Sequence, residues 1–181
     1  MAPLTTSTSR LMSVVAVLLL LLPASLATSQ PILAACKTVC GGSRYVTVEY
    51  CIEALESAGG GGSLDYQVFA GLVVRLLADK ASSTVAKIGD LLQHEGHADV
   101  ARCLQSCRSL YGGIVDGGPA CTADVNAKKF GEATAILQKA AAAAKECEDG
   151  FGKIKASSPL SAEDDDAFKL AKLGVGMIAF A

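Results

Sequence analysis

The sequence predicts an all-α fold: an antiparallel four-helix bundle with an N-terminal helical hairpin, stabilised by disulfides. Three observations carry that expectation. Past residue 30 the apolar residues recur mainly at spacings of three and four, the period of helices with one buried face. Alternating β-branched runs bounded by hairpin turns, the mark of strands, are nearly absent. Seven cysteines follow an export signal, and thiols of exported chains oxidise.

The opening segment, Met1 to Gln30, has a polar start with one positive charge at Arg10, an apolar block from Leu11 to Leu22, and then small residues. The block falls short of the roughly 20 apolar residues that span a bilayer. Small side chains at Ser25 and Ala27 place signal cleavage after Ala27, with Ser29 the next choice. Residues 1–27 therefore read as a signal peptide, and residues 28–181 as one extracellular domain of 154 residues. No membrane partner is expected once the leader is removed. Lys169 and Lys172 interrupt the C-terminal stretch, which argues against a GPI-anchor tail.

Removal of the leader takes one basic residue and no acidic ones, leaving a formal charge of −3. That balance lacks the basic face of a nucleic-acid binder. The acidic run Glu163 to Asp166 reads as the charged first turn of a helix. Asn126 precedes Ala-Lys, so the chain has no N-glycosylation acceptor.

Two short helical segments come first, around residues 31–40 and 45–57, separated by Gly41-Gly42-Ser43 and closed by Gly59 to Gly62. The glycine run lacks a following Lys-Ser/Thr and a preceding strand, so it is a connector and not a phosphate loop. Ser63 is positioned to cap a long helix whose stripe is Leu64, Val68, Leu72, Leu76, Val85, Ile88 and Leu92. After a break at Gly96 another helix starts near Ala98, burying Val100, Leu104, Cys107, Leu110 or Tyr111, and Ile114. Its partner runs from about Glu132 to Phe151 and contains a run of five alanines, the strongest helix formers. Ser157-Ser158-Pro159 ends it. Ser161-Ala-Glu-Asp164, a near-match to a capping box, starts the last helix, whose stripe is Ala167, Leu170 or Ala171, Gly174 and Ile178.

Cysteines at 36, 40, 51, 103, 107, 121 and 147 imply disulfides and at least one unpaired thiol, and spacing alone leaves the pairing open. Four segments resemble the plant invertase and pectin methylesterase inhibitor family. They are Ala35-Cys36-Lys37-Thr38 with Cys51-Ile-Glu-Ala-Leu55, Cys107-Arg-Ser-Leu-Tyr111, Cys147-Glu-Asp-Gly-Phe151, and Ser158-Pro159-Leu160 before a final amphipathic helix. Their order and spacing run over most of the chain. The resemblance implies bridges Cys36 to Cys51 and Cys107 to Cys147. Antiparallel helices tied at 107 and 147 would turn near residue 127, so Gly117-Gly118-Pro119 would kink a long helix instead of ending it.

That turn puts Lys128, Lys129 and Phe130 at an exposed hairpin tip. The family's invertase inhibitors insert a Pro-Lys-Phe segment there into the target's active site, and Lys129-Phe130 resembles its last two members, with Lys128 in place of the proline. An exposed aromatic beside two cations also suits an anionic carbohydrate cleft. A solvated loop with Phe130 folded onto the bundle is the competing reading. Cys103 and Cys121, about 27 Å apart on one continuous helix, cannot bridge each other and read as buried small residues. Cys40, beside two glycines, is the candidate free or intermolecular thiol.

His94 and His97 flank Glu95-Gly96, where the glycine breaks the register that would bring them together with Cys103 and Cys107, so no metal site is expected. No nucleophile motif appears, and no cofactor or catalytic activity is expected. The resemblance implies a secreted inhibitor in the plant cell wall or apoplast, occluding a carbohydrate-active enzyme. Pectin methylesterase is preferred because the invertase triplet is incomplete, and there the resemblance implies docking through helical faces. Invertase is the alternative. A secreted lipid-binding bundle is the rival from another class, although the chain has none of the adjacent cysteines of lipid-transfer proteins.

Overall fold

The computed structural model describes residues 30–181 apart from 62 and 64. The expected signal peptide lies outside the described residues. Six helices follow in order: α1 Gln30–Cys40, α2 Val48–Ser57, α3 Tyr66–His94, α4 Ala98–Asn126, α5 Phe130–Lys153 and α6 Ser161–Ile178. Helices α3 to α6 pack as an antiparallel bundle, each against the next in the chain and α6 back against α3. The α1–α2 hairpin leans on α6 and α3. It can lie close because Gly176 has no side chain: a Cβ there would come 2.5 Å from Val39 Cγ1.

Local chemistry sets the helix ends. Thr47 caps α2 by accepting from the Tyr50 N–H, and Asp65 caps α3 by accepting from the Gln67 N–H. Ser63, expected to cap α3, instead accepts from the Asp65 N–H and shapes the preceding turn. The expected α3 stripe holds from Leu72 onward, with Leu72 and Ile88 buried and Leu76, Val85 and Leu92 packed against the core, and departs only at its start. Val68 is 47% exposed, while Phe69, Val73 and Leu77 are buried. The helix lies between α4 and α6, and its larger side chains turn into that seam because they bury more apolar area. Leu64 lies outside the described residues.

Helix α4 runs unbroken through Gly117-Gly118-Pro119 and buries Leu104, Cys107, Tyr111 and Ile114 on one face. Tyr111, rather than Leu110, is the fully buried member of that pair. On α6 the expected capping box is absent. Leu160 occupies the N-cap position without a side-chain cap, and the Ser161 hydroxyl donates to the Glu148 carboxylate of α5. Asp164 is unavailable to complete a box because its carboxylate faces the core.

Disulfides join Cys36 to Cys51 and Cys107 to Cys147, the first closing the hairpin and the second tying α4 to α5. Cys40, Cys103 and Cys121 are free. Cys40 is free, as one arm of the expectation had it, but it is only 5% exposed, because it lies four residues after the bridged Cys36 on the same inward face of α1. Burial pushes its thiol pKa up. Cys121 is buried, its S–H 3.6 Å from the Ala133 carbonyl. Cys103 is only half-buried and donates to the Gly150 carbonyl.

Candidate target-binding surface

The turn between α4 and α5 falls at Ala127 to Lys129, where two overlapping backbone bonds close the helix. The Lys128 N–H donates to the Val125 carbonyl at 3.1 Å, and the Lys129 N–H to the Asp124 carbonyl at 2.8 Å. Closure requires a left-handed residue, and Lys128 supplies it at φ 56° where glycine is usual. The Gln67 side-chain amide at the start of α3 donates to the Val125 and Asn126 carbonyls at 3.0 and 3.3 Å. The tip is thereby fastened to a second helix.

Ala127, Lys128 and Lys129 are exposed, and neither lysine makes an ion pair among the described residues. Phe130 departs from the exposed aromatic of the sequence reading: it opens α5 half-buried and packs against the core. Its ring recovers apolar contact there that it would lose at a fully solvated tip. The tip thus presents two cations on a fixed turn, with the aromatic as a shoulder.

A second cluster, exposed at Arg44 and Tyr45 and half-buried at Phe168 and Lys172, lies where the hairpin meets α6, outside the binding residues singled out from the sequence. Tyr45, 41% exposed, meets Phe168 edge to face with ring centroids 5.4 Å apart. Arg44 lies 4.9 Å from the Tyr45 ring, and Lys172 lies 5.5 and 5.4 Å from the Tyr45 and Phe168 rings. Aromatic and arginine side chains of this kind are enriched at the centres of protein interfaces. Positions 45 and 168 come from opposite ends of the domain, so no local motif announces them.

His94 and His97 are exposed. Among the described residues no group of three or more His, Cys, Asp or Glu side chains is arranged to hold a metal. No helix among them is long and apolar enough to cross a membrane. One buried carboxyl is electrostatically perturbed. Burial raises the Asp164 carboxyl to about 7, opposed by the hydrogen bond from Tyr111 and helped by the nearby negative charges of Glu148 and Glu163.

This architecture has known counterparts. A sequence profile described as "Plant invertase/pectin methylesterase inhibitor" matches residues 34–175. A protein named "Putative invertase inhibitor" from Platanus orientalis is 24% identical over 143 residues, spanning 78% of this chain and 84% of the relative. Its namesake from Platanus acerifolia is 24% identical over 160 residues, spanning 88% and 89%. Among solved structures, a mutant form of a pectin methylesterase inhibitor from Arabidopsis superposes with a TM-score of 0.70 at 12% identity, covering 80% of this chain and 95% of that one. A pectin methylesterase inhibitor from Arabidopsis thaliana superposes with a TM-score of 0.61 at 12% identity, covering 81% and 95%. These structural likenesses show the shared bundle, and with the profile match across most of its length, the chain belongs to the plant invertase/pectin methylesterase inhibitor family.

Proposed function

We propose that this protein is secreted into the plant cell wall and inhibits a pectin methylesterase there by a reversible complex that occludes the substrate cleft. Family membership supports the inhibitor role. The observation that carries the choice of target is the backbone at Lys128. At φ 56° the position is closed to proline, whose ring holds φ near −65°, so this turn differs in conformation from one built on Pro-Lys-Phe. A bundle tied by two disulfides loses little freedom on docking, so apolar contact is not offset by ordering. The surface proposed to dock is the cluster of Arg44 and Tyr45, from the α1–α2 loop, with Phe168 and Lys172 of α6, its cations complementing an acidic cleft rim.

The names of the curated relatives and the retained Lys129-Phe130 favour a second reading, inhibition of an invertase through the tip. A parallel titration of the secreted protein against one pectin methylesterase and one cell-wall invertase, at mildly acidic pH, tests both. Stoichiometric loss of esterase activity, weakened tenfold or more by Tyr45→Ala with Lys172→Ala but not by Lys129→Ala, is the expected result. Inhibition of invertase alone, abolished by Lys129→Ala, would replace it with the second reading.

A further inference from the structure

Between α3, α4 and α5 lies a cavity of about 400 Å³. That volume falls in the range of small-molecule pockets, roughly 300–1,000 Å³. Its floor is apolar and buried, built from Val74 and Leu77 of α3, Ile114 of α4 and Leu137 of α5. Its mouth passes between Gly113 of α4 and Lys139 of α5, both exposed.

Close packing does not account for the opening. Gly118 and Gly117 lie at close helix approaches, where a Cβ would come 3.1 Å from Ala78 Cβ at the first and 3.3 Å from Ile136 Cγ2 at the second. Gly113 is different: a Cβ there meets nothing within 4 Å. Its place inside a helix is destabilising relative to any ordinary residue. It lines the cavity at the exposed surface, where a longer side chain has room to be placed.

Charge selects the occupant. Lys139 forms no ion pair among the described residues and stands beside the mouth. Glu146, seven residues on along α5 and about 10 Å away, gives the other end of the cavity a negative charge. A cation and an anion set along the same rim give the cavity a polarity that would orient a ligand with one charged head. We propose that this cavity binds an amphipathic carboxylate with a flexible apolar chain, the carboxylate at Lys139 and the chain over Gly113 against Val74, Leu77 and Leu137. The site is independent of the enzyme-inhibiting surface.

The test is calorimetric titration of the secreted protein with decanoate, kept below its micelle concentration, with decanol and decyltrimethylammonium as head-group controls. The expected result is saturable one-to-one binding of decanoate, at least tenfold tighter than the cationic analogue. Gly113→Leu should abolish it while leaving the melting temperature unchanged or higher, because leucine favours the helix and fills the void. Lys139→Ala should weaken decanoate several-fold and leave decanol unaffected. Should Gly113→Leu fail to fold, Ala143→Leu closes the cavity from α5 and is expected to give the same loss. Absence of saturable decanoate binding overturns the proposal, as does equal affinity for the cationic analogue or binding that survives both cavity-filling variants.

Discussion

The Tyr111 hydroxyl donates a 2.7 Å hydrogen bond to Asp164 Oδ1, joining the middle of α4 to the first turn of α6 inside the bundle. Asp164 is 3% exposed, and its other oxygen has no hydrogen-bond partner among the described residues. A carboxylate is poorly solvated there, so the protonated form is favoured and the pKa rises to about 7. In the unfolded chain the same group ionises near 3.8. Between those values the native state holds a proton that the unfolded state releases, so rising pH favours unfolding. Asp164 therefore contributes stability below about pH 4 that is lost as pH rises to about 7, with no further change above.

The expected outcome is a fall on the order of 4 kcal/mol across that window. It should appear as a decrease of about 8–16 °C in melting temperature for a domain of this size. Asp164→Asn keeps an acceptor for Tyr111 and cannot ionise, so the difference between its pH profile and that of the wild type isolates the effect. Parallel profiles would show that Asp164 does not change its charge on folding in this range.

Tyr111→Phe leaves Asp164 Oδ1 without its donor in the interior. The cost should be about 1–3 kcal/mol at neutral pH, where the group is partly ionised. Losing the bond that lowers the Asp164 pKa should also move the midpoint of the stability profile upward. Denaturant melts at mildly acidic and neutral pH would read both effects.

At the tip, Lys128→Pro should destabilise by about 3 kcal/mol, because proline can neither reach the left-handed conformation nor donate to the Val125 carbonyl. Lys128→Gly fits the backbone without strain and should leave stability unchanged or raise it by up to ~1 kcal/mol. A Lys128→Pro variant as stable as the wild type would show that the turn is easily rebuilt. The tip would then accommodate the proline of an invertase-type segment.

The two bridges close loops of different length, with sequence separations of 15 and 40 residues. On the loop-entropy account, replacing Cys36 and Cys51 by alanine should cost about 3 kcal/mol, and replacing Cys107 and Cys147 about 4. Chemical denaturation of the two paired variants gives the order. The first pair should leave the four long helices intact, since it ties only the hairpin.

Native thiol labelling should distinguish the three free cysteines. Cys103, the only one of them not fully buried, should react first, and Cys103→Ser should remove that phase. Cys40 and Cys121, with thiol pKa values raised by burial, should react only on unfolding. Fast labelling at Cys40 would mean that the end of α1 opens readily.

Much of this architecture is local and was therefore legible in the sequence. The 3.6-residue period marks Leu104, Cys107, Tyr111 and Ile114 as one face of one helix whatever that helix packs against. The cysteine segments, read with the family resemblance, led to both bridges and to a turn near residue 127. What only the tertiary structure decided depends on where neighbouring helices come to lie. Periodicity locates a buried face to within about one residue, so Phe69 rather than Val68, and Tyr111 rather than Leu110, turn inward once α3 and α4 meet their partners. The same assembly seals Cys40 and leaves Cys103 half-open. It folds Phe130 onto the core and joins Tyr45 to Phe168 across 123 positions of chain. Asp164 looks like a helix-starting carboxylate in the sequence. Only the arrival of Tyr111 from another helix places it in the interior, because burial is a property of the assembled surfaces and not of the segment that carries the residue.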